Sequence, residues 1–157
     1  SSDRPADRHP GAHEWDDPAK HSELLFILRA SYDGWAIATC PDGIAAYGPL
    51  PPEVRIMAWI KPNAQPGSHR LRSMWEPVLV YPPVGRRSNR GGIGALPYVL
   101  TANAPRRGFI GQKPPEWTAW VLSALSYDPD ADTVTDLFPG SGSVSSVIAS
   151  YPNGVPE

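Results

Sequence analysis

Apolar residues in this chain gather into short runs that are separated by turn-forming residues. Runs of this length, rich in β-branched and aromatic side chains, are typical of buried strands. Prolines and glycine-containing turns bound most of them, which fits strands that end abruptly. We predict strands over 35–39, 54–60 and 77–81, and two further strands over 96–101 and 134–138.

Helical segments are predicted between and after these strands. Asp17 followed by Pro18 is a typical helix start, because aspartate caps free backbone N–H groups and proline is tolerated in the first turn. This helix is predicted to reach about Arg29. The sequence Lys-Pro-Pro-Glu at 113–116 opens a second helix that runs to about Ser126 and has an apolar face. Shorter helices are predicted over 44–47 and 143–150.

The order of these elements predicts the fold class. Strands that alternate with helices of this size indicate an α/β fold with a mostly parallel sheet and helices on both faces. A chain of 157 residues is long enough for one domain with a hydrophobic core. We therefore expect a single domain over 1–157.

The composition narrows the class of protein. Apolar residues make up 41% and charged residues 19%, while 20 prolines and 14 glycines predict long irregular connections. Cys40 is the only cysteine, which excludes an internal disulfide and favours a reducing cytoplasm. The spacing of His9, His13 and His21 matches no standard ligand set, so no metal site is predicted. No apolar run approaches the roughly 18 residues of a membrane span, so no membrane partner is expected.

Charge is distributed unevenly along the chain. The segment 54–115 holds ten lysines and arginines and one acid, Glu76, whereas 116–157 holds six acids and no base. Arginines near glycine, serine and asparagine, without acids beside them, indicate loops over 63–107 that contact a polyanion. The alternative is a solvated surface whose counter-charges come from the acidic flanks.

The clearest indication of a ligand-binding site is one glycine-containing turn. Residues 136–143 read Asp-Leu-Phe-Pro-Gly-Ser-Gly-Ser, in which a predicted strand leads through two glycines into a predicted helix. Such glycines let the backbone approach a ligand, and the helix directs its positive end towards it. Ser145 replaces the third glycine of the dinucleotide fingerprint, and the phosphate-loop Lys-Ser/Thr pair is absent. A cofactor turn of another kind and a plain strand-to-helix turn both stay open.

These motifs resemble those of phage-type adenine-N6 DNA methyltransferases in which the catalytic motif comes first and the cofactor turn last. The resemblance rests on Asp-x-Phe-x-Gly-x-Gly at 136–142 and on the Lys-Pro helix start upstream, with support from Trp-Ile-Lys-Pro at 59–62 and Trp-Glu-Pro at 75–77. It implies a Rossmann-like methyltransferase sheet, S-adenosylmethionine as the methyl donor and double-stranded DNA as the partner. It also implies the cytoplasm of a bacterium or of a phage-infected host cell.

The resemblance assigns roles to individual residues. It implies a cofactor pocket whose methionine side is closed by the Lys-Pro pair. The implied cofactor-binding residues are Lys113, Pro114, Asp136, Phe138, Pro139, Gly140, Ser141 and Gly142. The basic segment would face DNA. Its implied DNA-binding residues are Lys61, Arg70, Arg72, Arg86, Arg87, Arg90, Arg106 and Arg107.

The chain departs from this family at the catalytic motif. Members carry Asp-Pro-Pro-Tyr or Asp-Pro-Pro-Trp, which hold the adenine amino group and stack on the flipped base, and the sequence contains neither. No catalytic residue is assigned. We predict that the domain is N-terminally incomplete, or that strand 134–138 pairs directly with 35–39. The functional alternatives are a DNA-binding remnant without catalysis and a nucleotide-binding module of unrelated function.

Overall fold

A computed structural model describes residues 17–88, 95–106 and 112–152 of the chain. Helix α1 (Pro18–Ser31) and strand β1 (Trp35–Ala38) come first, and a seven-residue 3₁₀ helix, Pro41–Tyr47, follows them. Strands β2 (Arg55–Ile60) and β3 (Trp75–Tyr81) form the middle of the chain, and a 3₁₀ turn, Val84–Arg86, follows β3. The helices and strands are α1 (Pro18–Ser31), β1 (Trp35–Ala38), β2 (Arg55–Ile60), β3 (Trp75–Tyr81), β4 (Val99–Thr101), α2 (Pro115–Ala124) and α3 (Ser143–Ser150).

The strands form one mixed sheet in the order β1-β3-β2-β4. Strand β3 lies antiparallel between β1 and β2, with Leu79 opposite Ile37 on one side and Ile56 on the other. Strand β4 runs parallel to β2. Strands β1, β2 and β4 therefore point the same way, and their last residues, Ala38, Ile60 and Thr101, lie at the same end of the strands. We call this end of the sheet the carboxyl edge.

The predicted mostly parallel, Rossmann-like sheet is wrong. Parallel neighbours need a crossover of a dozen or more residues, usually a helix. The chain between β2 and β3 instead forms a loop with no helix, so β3 returns antiparallel. Residues 134–138 form no strand, and two of their apolar side chains, Leu137 and Phe138, are 41% and 58% exposed. A strand at the centre of a sheet would bury them.

The alternative pairing of 134–138 with 35–39 is also wrong, because 134–138 form no strand and the described partner of β1 is β3. The prediction of an incomplete domain rested on a strand at 134–138 that would lie beside a missing catalytic strand at the centre of the sheet, and 134–138 form no strand. That the domain is N-terminally incomplete stays a prediction.

Both faces of the sheet carry a buried cluster, because side chains alternate along each strand. Strand residues on the first face pack against α2. This group, which we call the Trp59 cluster, consists of Met57, Trp59, Val78, Val80, Trp117, Trp120 and Val121. On the second face, Trp35, Ile37 and Leu79 pack against α1 and the 3₁₀ helix. The sheet is thus a middle layer between two helical layers.

Several predicted local features are confirmed. Asp17 caps α1 by accepting a hydrogen bond from the backbone N–H of Ala19 at 3.0 Å, and Pro18 occupies the first turn. Helix α3 has the predicted bounds, and β4 lies at the end of the predicted fourth strand. Within the described residues, every helix is too short or too polar to cross a lipid bilayer.

Candidate functional site

Three charged residues from separate segments meet at the carboxyl edge. Lys61 directly follows β2, Glu76 is the second residue of β3, and Lys113 lies just before α2. The Nζ atom of Lys61 donates to Oε1 of Glu76 at 2.9 Å, and that of Lys113 donates to Oε2 at 2.9 Å. The side chains are only 17%, 20% and 15% exposed, respectively. We call this group the Lys–Glu–Lys cluster.

Two tryptophans form the floor of this cluster. The Nζ atoms of Lys61 and Lys113 lie 5.5 and 5.3 Å from the ring centre of Trp59, and that of Lys113 lies 5.6 Å from the ring centre of Trp117. Trp59 is 1% exposed, and its Nε1 donates to the carbonyl oxygen of Ala102 at 2.9 Å. The aromatic rings stabilise the two ammonium groups and keep them away from bulk water.

The Lys–Glu–Lys cluster holds an excess of positive charge. Burial alone would raise the pKa of Glu76, but attraction and hydrogen bonds from Lys113 and Lys61 outweigh it and hold that pKa below its ordinary value of 4.5. The carboxylate is therefore ionised at neutral pH and cancels only one of the two lysine charges. Each ammonium has three donors, and Glu76 takes one from each. The cluster can accordingly attract an additional anionic group.

An open depression of about 470 Å³ is lined by residues that follow Lys61 and Lys113 closely in sequence and by residues at the end of β4. Its wall includes Pro62, which follows Lys61, and Glu116, which lies in the first turn of α2, three residues after Lys113. The lining residues are Pro62, Leu100, Thr101, Ala102, Asn103 and Glu116. Glu116 is half-buried, and no described residue forms an ion pair with it. The volume falls in the range of small-molecule sites.

Asn63 fixes the rim of this pocket. Its Nδ2 donates to the carbonyl oxygen of Ala104 at 2.9 Å, and its Oδ1 accepts from the N–H of Ala104 at 2.8 Å. This paired contact joins the loop after β2 to the loop after β4. The Asn63 side chain therefore holds these two loops together, although 41 residues separate it from Ala104.

The predicted cofactor turn forms an outward-facing bend before α3. Gly140 and Gly142 have positive φ angles of 49° and 80°, which glycine adopts without strain. A Cβ atom at Gly142 would meet nothing within 4 Å, and one at Gly140 would meet only the carbonyl oxygen of Phe138 at 3.9 Å. No side chain of a described residue lies within 4 Å of a Cβ placed at either glycine.

Asp136 supports the bend from the side. Its Oδ2 accepts from the Ser145 hydroxyl at 3.0 Å, and its Oδ1 accepts from the N–H of Phe138 at 3.3 Å. Pro139 accepts from the N–H of Gly142 at 2.7 Å, which closes the turn. Ser141 lies in the same bend, and its hydroxyl oxygen accepts from the N–H of Ser143 at 3.4 Å. The predicted residues from 136 to 142 thus form one local unit.

Among the described residues, the bend and Lys113 are connected through the hydrophobic core. Val144, two residues after Gly142, packs against the Trp59 cluster, and Lys113 lies over two tryptophans of the same cluster. Pro114 caps α2 and is buried. The lining of the carboxyl-edge pocket includes none of residues 136–142. The predicted cofactor residues therefore share one core without sharing this pocket.

The structure separates the predicted DNA-binding residues into two groups. Arg70, Arg72 and Arg106 are exposed and lie in loops that begin at the carboxyl edge. Arg86 and Arg87 follow β3 and leave the sheet at the opposite edge, because β3 runs antiparallel. The predicted residues Arg90 and Arg107 lie outside the described residues.

Some of these basic residues already have protein partners. Arg86 binds the carboxylate of Asp132 through both oxygens and also donates to the carbonyl oxygen of Ser126 at 3.0 Å. Arg87 lies 4.6 Å from the ring centre of Tyr81 and donates to the carbonyl oxygen of Pro82 at 3.0 Å. Of the predicted arginines that the structure describes, Arg70, Arg72 and Arg106 have no such partner among the described residues.

Two residues of the site, Glu76 and Glu116, were not identified from the sequence. Glu76 was visible as the only acid in the segment 54–115, and a lone acid among ten bases is a candidate for ion pairing. Glu116 was assigned only to the start of a helix. Nothing in its local sequence indicates that the loop after β4 forms a pocket beside it.

Comparisons of the chain with known protein families, with curated proteins and with solved structures find no match.

Proposed function

We propose that this chain binds S-adenosylmethionine and double-stranded DNA, and that it serves the transfer of a methyl group to the N6 amine of adenine. The observation that carries the proposal is the position of Lys113. The resemblance assigns this lysine to the methionine side of the cofactor, which ends in a carboxylate. Lys113 belongs to a half-buried cluster with one excess positive charge, and its neighbour in sequence, Glu116, lines an open pocket. Such a cluster favours a carboxylate partner.

The bend at Gly140 and Gly142 gives separate support. Its positive φ angles and open outer side allow a ligand to approach the backbone closely. The first turn of α3 adds backbone N–H groups that are free of intrahelical partners. This bend fits the nucleoside side of a cofactor, whereas the cluster at Lys113 fits its amino-acid side.

The proposed DNA contact lies at the carboxyl edge. Arg70, Arg72 and Arg106 are exposed there, and arginines in loops of this kind bind phosphates. Lys61 lies at the same edge but is already paired with Glu76. DNA bound at this edge would lie near the pocket, as methyl transfer requires.

The chemistry asked of this chain is mainly orientation. S-adenosylmethionine supplies an already activated methyl group, so the site needs to align the adenine amine and exclude water rather than provide a strong acid or base. The residues that hold the amine in the family, Asp-Pro-Pro-aromatic, do not occur in the 157 residues. This absence favours a second candidate function, which is binding of cofactor and DNA without methyl transfer.

Calorimetry with S-adenosylhomocysteine tests the proposal. We expect one-to-one binding to the wild-type protein, and we expect Lys113→Met to weaken it about tenfold or more, since a charge-assisted hydrogen bond is lost. Glu76 keeps Lys61 as a partner in this variant. Lys20→Met, at a half-exposed lysine of α1, is the matched control.

Folded wild-type protein that binds neither S-adenosylhomocysteine nor S-adenosylmethionine would refute both candidate functions. Equal affinities for Lys113→Met and the control would remove the observation that carries the proposal. Incorporation of labelled methyl groups into adenine of duplex DNA separates the two candidates, because only the first predicts turnover.

A further inference from the structure

The outer side of strand β4 is open among the described residues. Strand β4 is the last strand of the sheet and pairs on one side with β2. The carbonyl oxygen of Tyr98 and the N–H of Ala102 both form hydrogen bonds with β2, at 2.8 and 3.1 Å. Alternate residues of a strand direct their backbone groups to opposite sides. The N–H and C=O groups of Val99 and Thr101 therefore point away from β2, where no described residue pairs with them.

The carboxyl-edge pocket lies at the end of this open side. Consecutive residues of β4 and of the chain that follows it, 100–103, line the pocket, so a strand added along Val99 and Thr101 would run past it. Among the described lining residues, Glu116 alone carries a charge. Its side chain is half-buried, and no described residue forms an ion pair with it.

We propose that the open side of β4 binds an extended peptide segment of a partner protein, and that a basic side chain of this segment pairs with Glu116 in the pocket. In recognition of this kind, backbone hydrogen bonds to an edge strand provide affinity, and side-chain pockets provide specificity. The backbone groups of Val99 and Thr101 supply the hydrogen bonds, and the carboxyl-edge pocket supplies the specificity.

The sequence of β4 suits the addition of a strand. Residues 98–104 contain neither a charged residue nor a proline, which are features that usually keep edge strands from pairing. The side chains of Tyr98 and Val99 lie on opposite faces of the strand and are 52% and 50% exposed. An added strand would therefore bury apolar surface on both faces.

The charge of the pocket lining favours a cationic side chain. Lys61 and Lys113 are close to the lining in sequence, but they are not part of it, and each donates to Glu76. A half-buried carboxylate without a counter-charge attracts a lysine or arginine and repels an acid. A neutral side chain in the pocket would leave Glu116 unpaired.

The inference is independent of the proposed function, because neither Lys113 nor the bend at 136–142 lines the pocket. The alternative role for Glu116 is structural, since an acid in the first turn of a helix stabilises the helix dipole. A structural role would affect all peptides equally.

Fluorescence anisotropy with three pools of labelled peptides tests the inference on the full chain. The peptides have about nine residues, the length of a long strand, with valine or threonine around a central position. The first pool has lysine at the centre, and the second has uncharged norleucine. The third keeps lysine but has N-methylated backbone amides, which cannot donate hydrogen bonds.

We expect the wild-type protein to bind the lysine pool about tenfold more tightly than the norleucine pool and to show no binding of the N-methylated pool. Glu116→Gln should bind the lysine and norleucine pools equally. Glu23→Gln, at an exposed acid of α1, should keep the difference. The comparison of pools on the wild type remains decisive if Glu116→Gln fails to fold.

Amide hydrogen exchange, measured by NMR, locates the bound peptide. The lysine pool should slow exchange of the Val99 and Thr101 N–H groups. Unchanged exchange at these two groups, or no binding of the lysine pool, would overturn the inference. Equal affinities of the wild type for lysine and norleucine, or equal loss of both in Glu116→Gln, would overturn the pairing with Glu116. A dimer of the free protein in which both N–H groups already exchange slowly would assign this strand to a second copy of the chain instead.

Discussion

Arg86 and Asp132 form a two-pronged ion pair that joins segments 46 residues apart. Nη2 of Arg86 donates to Oδ1 of Asp132 at 2.9 Å, and Nη1 donates to the other carboxylate oxygen. Hydrogen bonding and attraction between the two groups raise the pKa of Arg86 and lower the pKa of Asp132. The contact ties the 3₁₀ turn after β3 to the acidic turn after α2, so this arginine has a structural partner.

Removal of Arg86 should therefore destabilise the fold through Asp132. Arg86→Ala should lower the melting temperature, because it leaves the Asp132 carboxylate without its main partner. The same change in an Asp132→Asn background should have a smaller effect, since the ion pair is already lost. Thermal unfolding of the four proteins in this double-mutant cycle measures the coupling.

Arg70→Ala is the control for this cycle, because Arg70 is exposed and no described residue pairs with it. Its stability should stay within about 0.5 kcal/mol of wild type. If Arg86→Ala lowered the melting temperature equally in both backgrounds, the ion pair would not be the source of the stabilisation.

Glu76 should make stability depend on pH in the acidic range. Its pKa in the folded protein lies below the ordinary value of 4.5, because the two lysines outweigh its burial. The stabilisation is therefore complete above about pH 4.5 and is lost as the pH falls through the lowered pKa. Urea unfolding between about pH 3 and pH 7 should show this loss in the wild type and a shallower one in Glu76→Gln.

At neutral pH, Glu76→Gln should lower the free energy of unfolding by about 3 kcal/mol, because two mostly buried ammonium groups lose their counter-charge. Glu23→Gln should leave the pH profile unchanged, since Glu23 is 63% exposed on α1. Parallel pH profiles for the wild type and Glu76→Gln would contradict the assignment of this acid-sensitive stability to Glu76.

Two glycines should respond oppositely to the addition of a methyl group. A Cβ at Gly34 would lie 2.7 Å from Cδ of Pro83 and 3.2 Å from its backbone nitrogen. Gly34→Ala should therefore lower the free energy of unfolding by about 1–3 kcal/mol through steric crowding. Gly85→Ala is the matched control, because a Cβ there meets nothing within 4 Å.

Chemical denaturation measures both glycine variants. Gly85→Ala should be neutral or stabilising by about 0.5 kcal/mol, because alanine restricts the unfolded chain more than glycine does. A Gly34→Ala variant as stable as Gly85→Ala would show that the bend before β1 and Pro83 after β3 do not approach as closely as this contact requires.

The proposed DNA surface predicts a specific salt dependence. Replacement of Arg70, Arg72 and Arg106 by alanine should reduce the slope of log affinity against log salt concentration by about 2–3 units, since each phosphate contact contributes about 0.9. Fluorescence anisotropy with a labelled duplex measures the slope. Arg55→Ala should change it little, because Arg55 already pairs with Glu53. An unchanged slope in the triple variant would place any DNA contact elsewhere.

Predictions succeeded where the sequence signal acts over a few neighbouring residues and failed where the element depends on distant parts of the chain. Asp17-Pro18 predicted the start of α1 correctly, because a cap and a first-turn proline act within one turn of helix. Residues 134–138 were predicted as a strand from their apolar content and the glycine turn after them. The structure has no strand there, and the Leu137 and Phe138 side chains are 41% and 58% exposed. Apolar content alone does not settle whether a segment joins a sheet.

The sequence by itself determined most of the local elements and the uneven distribution of charge. Helix caps, proline breaks and apolar runs act over a few residues, so they can be read along the chain. The tertiary structure decided the direction of β3, the partner of Arg86 and the meeting of Lys61, Glu76 and Lys113. These depend on which surfaces pack together across large sequence separations, and no local pattern encodes that choice.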